Sequence, residues 1–362
     1  MYEKAIKVLN ELTQHGYEAY IVGGYPRDFL LNRESFDIDI CTNAKPKEIK
    51  DIFKDSIVSK AEYGSVTVIY HKIRFEITTF RKDLEYENHR IPTKIKYIGS
   101  LANDLKRRDF TINTICIDSN GNIIDLLNAK DDLENKTIKM VGNPKYRLKE
   151  DILRILRAIR FSTILDFDLD DELKKYIKKY GYLLKDLSYF RKKEELDKIF
   201  LSVNALKGIK LIKELNLDKY LELSNLDSLK MTSSIIGVWA QLNVENIYIF
   251  NNTEKEQMKQ IKELLEKDIN NYNLYKYGLY ISSVVAEIKG LDKKELSKKY
   301  NDLPIRNRKD INIKADEICN LLNKKAGPFL KEIFNDLEIN ILNNGLENDK
   351  EILINYIKNK FN

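Results

Sequence analysis

Asp37 and Asp39 stand one residue apart in Ser35-Phe36-Asp37-Ile38-Asp39-Ile40, where acidic and apolar residues alternate. That period of two predicts a strand burying Phe36, Ile38 and Ile40 and turning both carboxylates to the other side. Two acids so placed repel each other, and a divalent cation between them removes the repulsion; hard oxygen donors suit Mg2+. The alternative is a solvated edge strand. Upstream, Ala19-Tyr20-Ile21-Val22 reads as a short apolar strand, Gly23-Gly24 breaks it, and Pro26 fits the first turn of a helix running through Arg27-Asp28-Phe29-Leu30-Leu31. Strand, paired glycines and helix start make a nest of backbone N–H groups that a phosphate can approach closely, with Arg27 adding a guanidinium. A plain tight turn is the competing reading. A third acid, Glu76, alternates with Phe75 and Ile77 in Ile73–Thr78, so a neighbouring strand could aim it at the same cations; pairing with Arg74 or Arg81 at the surface is the alternative. Two ions roughly 3.5 to 4 Å apart activate a hydroxyl nucleophile and stabilise a departing pyrophosphate.

The elements that must hold these groups fall in the first part of the chain. Residues 1 to about 144 mix short strands with helices, whereas after Gly142-Asn143-Pro144 the period becomes helical to the end, with subsidiary breaks near Asn204, Gly290 and Leu303-Pro304. This is an α/β head followed by helices, and 362 residues exceed the size of one core, about 250 to 300 residues. A net charge of +6 permits an anionic partner without requiring one. Three dispersed cysteines, Cys41, Cys116 and Cys319, argue for reduced thiols and against a zinc ribbon. Three histidines leave little material for an imidazole-based site. The amphipathic N-terminus does not resemble a signal peptide and no apolar run of about 18 residues occurs, so a cytoplasmic protein with no membrane partner is expected.

A second chemical cluster opens the helical part: Arg147, Glu150, Asp151, Arg154, Arg157 and Arg160 within Arg147–Phe161. On one helix, Arg154, Arg157 and Arg160 would form a cationic stripe opposite Ile152, Leu153, Ile155, Leu156, Ile159 and Phe161, with Glu150 and Asp151 within reach of Arg154. An ordinary ion-paired amphipathic helix is the alternative, but three arginines without a lysine favour planar recognition of phosphates or bases. Asp151 accepting and Arg154 donating would select cytosine and adenine together, since both present an amino donor beside a ring-nitrogen acceptor. Uracil and guanine reverse that order.

These segments together resemble the class II tRNA nucleotidyltransferases, the bacterial CCA-adding enzymes, and their relatives the bacterial poly(A) polymerases. Gly23-Gly24-Tyr25-Pro26-Arg27-Asp28 is similar to the family's Gly-Gly-x-x-Arg-Asp motif and Asp37-Ile38-Asp39 to its metal-binding pair. Phe75–Arg81 resembles the next strand, Arg107-Arg108-Asp109 the Arg-Arg-Asp motif, and Glu150-Asp151-x-x-Arg154 the amino-acid template. The resemblance implies that Gly23, Gly24 and Arg27 hold the triphosphate and that Asp37 and Asp39 ligate Mg2+, with Glu76 beside them. It implies that Arg108, Asp151, Arg154, Arg157 and Arg160 contact ATP or CTP and that Asp109 approaches the ribose. The implied fold is α+β: a polymerase-β-like nucleotidyltransferase head over 1–144, a helical neck over 145–204, a body over 205–290 and a tRNA-binding tail over 291–362.

Glu62-Tyr63-Gly64-Ser65-Val66 resembles a segment of the tRNA enzymes, and Glu85–Pro92 occupies the place of a flexible loop that passes from CTP to ATP. Ala326–Leu330, Asn344-Gly345 and Asn348 resemble the tail that meets the acceptor and TΨC arms. Phe190 replaces a Glu usual in the last neck motif, and with no histidine beyond His89 a phosphohydrolase domain is excluded. The expected activity is template-independent addition of CCA to tRNA. Its rivals are addition of CC or A alone, poly(A) synthesis, or a non-catalytic RNA-binding protein. Monomer and homodimer both remain open.

Overall fold

In the computed structural model, residues 1–54, 56–57, 64–87 and 91–361 are described, with 56–57, 85–87 and 91–94 followed through the backbone alone. Glu62, Tyr63 and residues 88–90, on which two family resemblances partly rest, lie outside the described residues. The chain divides into two compact units, Met1–Glu222 and Leu223–Asn362.

The first unit begins with α1 (Tyr2–Gln14), whose Ala5, Val8, Leu9 and Leu12 fall on one face at helical spacing and are fully buried. β1 (Ala19–Val22) leads through Gly23 into α2 (Gly24–Leu30), then β2 (Asp39–Thr42), α3 (Pro46–Ile52), β3 (Ser56–Ile57), β4 (Ser65–Tyr70) and β5 (Ile73–Thr79). A hairpin of β6 (Arg81–Glu87) and β7 (Ile91–Tyr97) forms its own small sheet. After it come α4 (Leu101–Leu105), β8 (Cys116–Ile117), β9 (Ile123–Ile124), α5 (Ala129–Glu134) and β10 (Thr137–Ile138). The main sheet has the order β3-β4-β5-β2-β1-β8-β9. One face presents Ile21, Ile40, Val66, Phe75 and Ile77 to α1 and α3; the other packs Val22, Cys41, Phe80 and Cys116 with Leu101 and Leu105 of α4.

The expected strand over 35–40 begins only at Asp39, and Phe36 is 74% exposed instead of buried. Val22, the last residue of β1, pairs with Asp39. Gly23 then turns the chain away, leaving no β1 partner for residues before Asp39. Ile38 still packs inward at 5% exposure, so the alternation persists where the ladder does not.

Helices α6 (Pro144–Glu150) and α7 (Leu153–Leu165) follow, then β11 (Asp168–Leu169), α8 (Asp171–Tyr180), α9 (Tyr189–Phe200), α10 (Ala205–Glu214) and α11 (Asp218–Leu221). The change to helix after 144 is therefore not total: β11 pairs in parallel with β10, Thr137 opposite Asp168 and Ile138 opposite Leu169. Two residues are too few to show as a period in the sequence.

The second unit is helical. Its helix Asn271–Lys289 bends at Gly278 (φ 72°), and Leu274, Ile305, Ile318, Leu337, Ile341 and Leu353 share a core with its later helices. Arg308 donates to both oxygens of Glu338, at 2.7 and 3.0 Å. Asn348 accepts from the Asn312 N–H (2.9 Å) and donates to the Asp310 carbonyl (2.8 Å), tying the last loop to the 308–313 segment. Among the described residues no helix is long and apolar enough to cross a membrane, and Cys41, Cys116 and Cys319 are free thiols.

Candidate active site

The strand ends collect the acids. Asp39 opens β2, and its register partner on the parallel neighbour β5 is Glu76, so the two side chains leave one face of adjacent strands roughly 4.8 Å apart. Gly23 sits at φ 88°, a left-handed conformation that suits glycine, and a Cβ there would stand 3.3 Å from Asp39 Oδ2. Asp39 is exposed as a residue, but its carboxyl group is lodged in the recess beside Gly23. Burial there raises its pKa; Glu76 raises it further, Arg108 opposes, and Asp37 adds to the rise. Asp37 is exposed and lies just outside the strand.

Behind this corner lies an acid that the sequence reading passed over. Asp104, on α4, is 0% exposed. It accepts from Arg107 Nε at 2.8 Å, Arg108 Nη2 at 3.3 Å and the Arg81 N–H at 3.1 Å. Its signal was present: Leu101, Asp104 and Leu105 share a helical face, and arginines follow at i+3 and i+4. Next along the chain, Asp109 Oδ1 accepts from the Phe110 N–H (2.8 Å) and Asn113 Nδ2 (3.1 Å), while Oδ2 takes a fork from Arg157, with Nε at 2.7 Å and Nη2 alongside. Burial works to raise the Asp109 pKa, but Arg157, Asn113 and the Phe110 N–H hold it well below the carboxylate range. Arg27 is itself clasped: Nε and Nη2 donate to Asp28 at 2.9 and 2.8 Å, and Nη1 donates to Asn113 at 2.7 Å.

The cluster over Arg147–Arg160 differs from the single helix expected. Asn143 caps α6 by accepting from the Lys145 N–H at 2.9 Å, and Pro144 fits the first helical position. The helix stops at Asp151 (φ −141°, ψ 103°). It restarts at Leu153, whose N–H donates to Asp151 Oδ1 at 3.1 Å. The stripe is not a solvated face: Arg154 is 5% and Arg160 8% exposed. Arg160 turns to Glu195 on α9, 3.1 Å away, because α7 is covered on nearly every side and a guanidinium there must find an internal partner. In that motif Phe190 is exposed, leaving Glu195 as the buried acid.

A cavity of about 430 Å³ joins these elements. Of the expected residues, Gly23, Gly24, Arg27, Asp39, Arg108, Asp109, Asp151, Arg154 and Arg157 line it together. Asp37 and Glu76 stand by Asp39 off the cavity wall, and Arg160 lies outside it. Arg81, Asp83, Arg107, Asn113 and Phe161 also line it and were not expected. The Phe161 ring carries the guanidinium groups of Arg27, Arg157 and Arg160 at 5.2, 5.3 and 4.5 Å. The arrangement pairs a cationic wall with an acidic corner, as a nucleoside triphosphate and its cation require.

The donor set fits a divalent cation. Among the described residues no three His, Cys, Asp or Glu side chains converge as a closed metal-ligating set. Asp39 is instead an open corner whose burial and acidic neighbours disfavour its own charge. Such a corner suits a hard cation that takes one or two carboxylates and completes its shell with phosphate oxygens and water.

Fold and site define a nucleotidyltransferase with a polymerase-type head: residues 19–139 match the family described as "Poly A polymerase head domain". Residues 166–226 match "Probable RNA and SrmB- binding site of polymerase A", and residues 244–357 match tRNA nucleotidyltransferase domain 2. The chain is 35% identical to the CCA-adding enzyme of Ligilactobacillus salivarius, covering 99% of this chain and 96% of the relative. It is 36% identical to that of Anoxybacillus flavithermus, covering 97% and 96%. The crystal structure of the Bacillus stearothermophilus CCA-adding enzyme in complex with CTP superposes with a TM-score of 0.87 at 27% identity, covering 99% of this chain and 97% of that one. The chain belongs to the CCA-adding enzyme family.

Proposed function

We infer that this chain adds C, C and A to the 3′ end of tRNA from CTP and ATP, without a nucleic-acid template and with release of pyrophosphate. The observation that carries this reading is the presence of Asp151 and Arg154 on the same cavity as Gly23, Asp39 and Arg108. A side-chain pair able to read a base thus faces a site able to hold a triphosphate. Asp151 accepts from the exocyclic amino group of cytosine or adenine, and Arg154 donates to the adjacent ring nitrogen. Arg154 is steadied for this by Nη1, which donates to the Arg147 carbonyl at 2.7 Å and to Glu150 at 3.3 Å. Arg108 and the backbone at Gly23-Gly24 neutralise the triphosphate, and Arg27 lends positive field while remaining clasped to Asp28 and Asn113. The Asp109–Arg157 fork sets the wall against the sugar, and Arg160 acts from behind through Glu195.

Asp37 and Asp39 hold Mg2+, with Glu76 raising the negative field beside them; when bound, the ion supplies Lewis acidity for hydroxyl attack on the α-phosphate and offsets charge on the departing pyrophosphate. The division into head (1–144), neck (145–204), body (205–290) and tail (291–362) follows the family resemblance. The tail meets the acceptor and TΨC arms through phosphates and shape. The site of action is the cytoplasm, where tRNA is matured.

The test uses tRNA lacking CCA and tRNA ending in CC, each with CTP and ATP. Addition of three and of one nucleotide respectively is expected. Arrest after CC, addition of A alone, runaway adenylation or no extension would each overturn the reading, the third in favour of a poly(A) polymerase.

A further inference from the structure

The contacts of Arg147 give this arginine a task of its own. It sits near the end of α6, and its Nη2 donates to two consecutive backbone carbonyls, those of Arg107 and Arg108, the latter at 2.9 Å. Its Nη1 donates to Glu150. Its own carbonyl accepts from Arg154 Nη1 at 2.7 Å, and Arg154 Nη2 reaches the Arg107 carbonyl at 3.5 Å. The residue therefore touches both halves of the site. On one side it fixes the segment whose Arg108 side chain is anchored on Asp104 and acts on Asp39. On the other its side chain holds Glu150, the carboxylate that both arginines share, while the bond from Arg154 to the residue-147 carbonyl is backbone and survives replacement of the side chain. Its side chain is only 13% exposed, so these bonds form where water competes poorly.

We propose that Arg147 is a positioning residue for nucleotide choice: it ties the guanidinium that reads the base to the backbone that carries the triphosphate-facing Arg108. This rests on the nucleotidyl-transfer reading given above. A planar guanidinium can bridge two carbonyls and a carboxylate at once, whereas an ammonium on a flexible stem cannot hold that fork. Without that side chain, Glu150 and the 107–108 carbonyls lose their fixed place against Arg154, and the distinction between an amino group and a carbonyl on the base edge is weakened before triphosphate binding is.

The experiment measures kcat and KM for CTP, UTP, ATP and GTP on truncated tRNA with the parent chain, Arg147→Lys and Arg147→Gln, and compares their unfolding curves. The lysine variant retains the charge and most of the packing, so it provides a folded comparison. The ratio of kcat/KM for CTP over UTP should fall roughly tenfold in Arg147→Lys, about the worth of one charge-assisted hydrogen bond. It should fall further in Arg147→Gln, with most of the change in KM for CTP and ATP. An equal decline for all four nucleotides, or an unchanged ratio in the folded variants, overturns the assignment while leaving CCA addition intact. A parent chain that extends no tRNA overturns the underlying reading and this inference with it.

Discussion

The acidic corner and the arginine wall of one cavity are built on opposite electrostatic plans. At the corner, Asp39 is lodged beside Gly23 with Glu76 and Asp37 for neighbours, and its negative charge is disfavoured by burial first and by those acids next. At the wall, Asp109 accepts from Arg157, Asn113 and the Phe110 N–H, and Arg154 donates to the Arg147 carbonyl; off the cavity, Arg160 faces Glu195. One region keeps a charge deficit that a cation would fill; the other has its charges answered in advance. A group that must bind something reversible is left under strain, and a group that must measure shape is held still.

Removing the acid that defines the corner gives the sharpest test of this contrast. Asp39→Asn should lower kcat for addition by about 10² to 10³, the scale of losing one preorganised electrostatic partner, with tRNA affinity retained in a filter-binding assay. Equal turnover would break the comparison at its functional end. Next in size is the wall. Asp109→Asn should destabilise the chain by about 2 kcal/mol, less than the 3 to 5 of a fully buried pair because Arg157 is partly exposed. Urea unfolding measures it.

The pH dependence has opposite signs in the two regions. The Asp109 pKa is depressed, so its contribution to stability is present above the ordinary 3.8 and is lost as pH falls through the lower folded value. The Asp39 pKa is raised, so its contribution is present below 3.8 and is lost as pH rises through the higher folded value. In Mg2+-free buffer at neutral pH, Asp39→Asn should therefore melt higher than the parent, and the gain should vanish in acid below 3.8. A lower melting temperature would show that the corner is not strained. The smallest effect is expected from Phe161→Leu, which keeps bulk but removes the ring beneath three guanidinium groups. Each cation–π contact is worth about 0.5 to 1 kcal/mol, so a KM for CTP raised by a few-fold is expected from initial rates.

Much of the corner was legible because its positions are set by local rules. The strand Ala19–Val22, the glycine break and the alternation through Phe75 and Ile77 need only a period of two and a turn residue, and they place Asp39 and Glu76. The wall was legible as composition, but its burial was not. Helical spacing predicted a cationic stripe over Arg154–Arg160, whereas burial is decided by what packs against α7, and Glu195, 35 residues beyond Arg160, carries no local sign of that pairing. Arg81, Asn113 and Phe161 were missed for the same reason. Asp104 was readable, as an acid on the apolar face of a short helix just ahead of the Arg-Arg-Asp segment. The extent of the strand expected over 35–40, β2, was not, because the end of a ladder depends on where its partner turns away.

The short parallel ladder of β10 with β11 has a mechanical consequence. Because Thr137 meets Asp168 and Ile138 meets Leu169, the intervening span that carries α6 and α7 is clipped at its base like a handle fixed at both feet. A single cut by a protease at Gly142-Asn143 should leave its fragments held together, and the amides of Asp168 and Asp170, which donate to the Lys136 and Ile138 carbonyls, should trade their protons for deuterium together, on one clock.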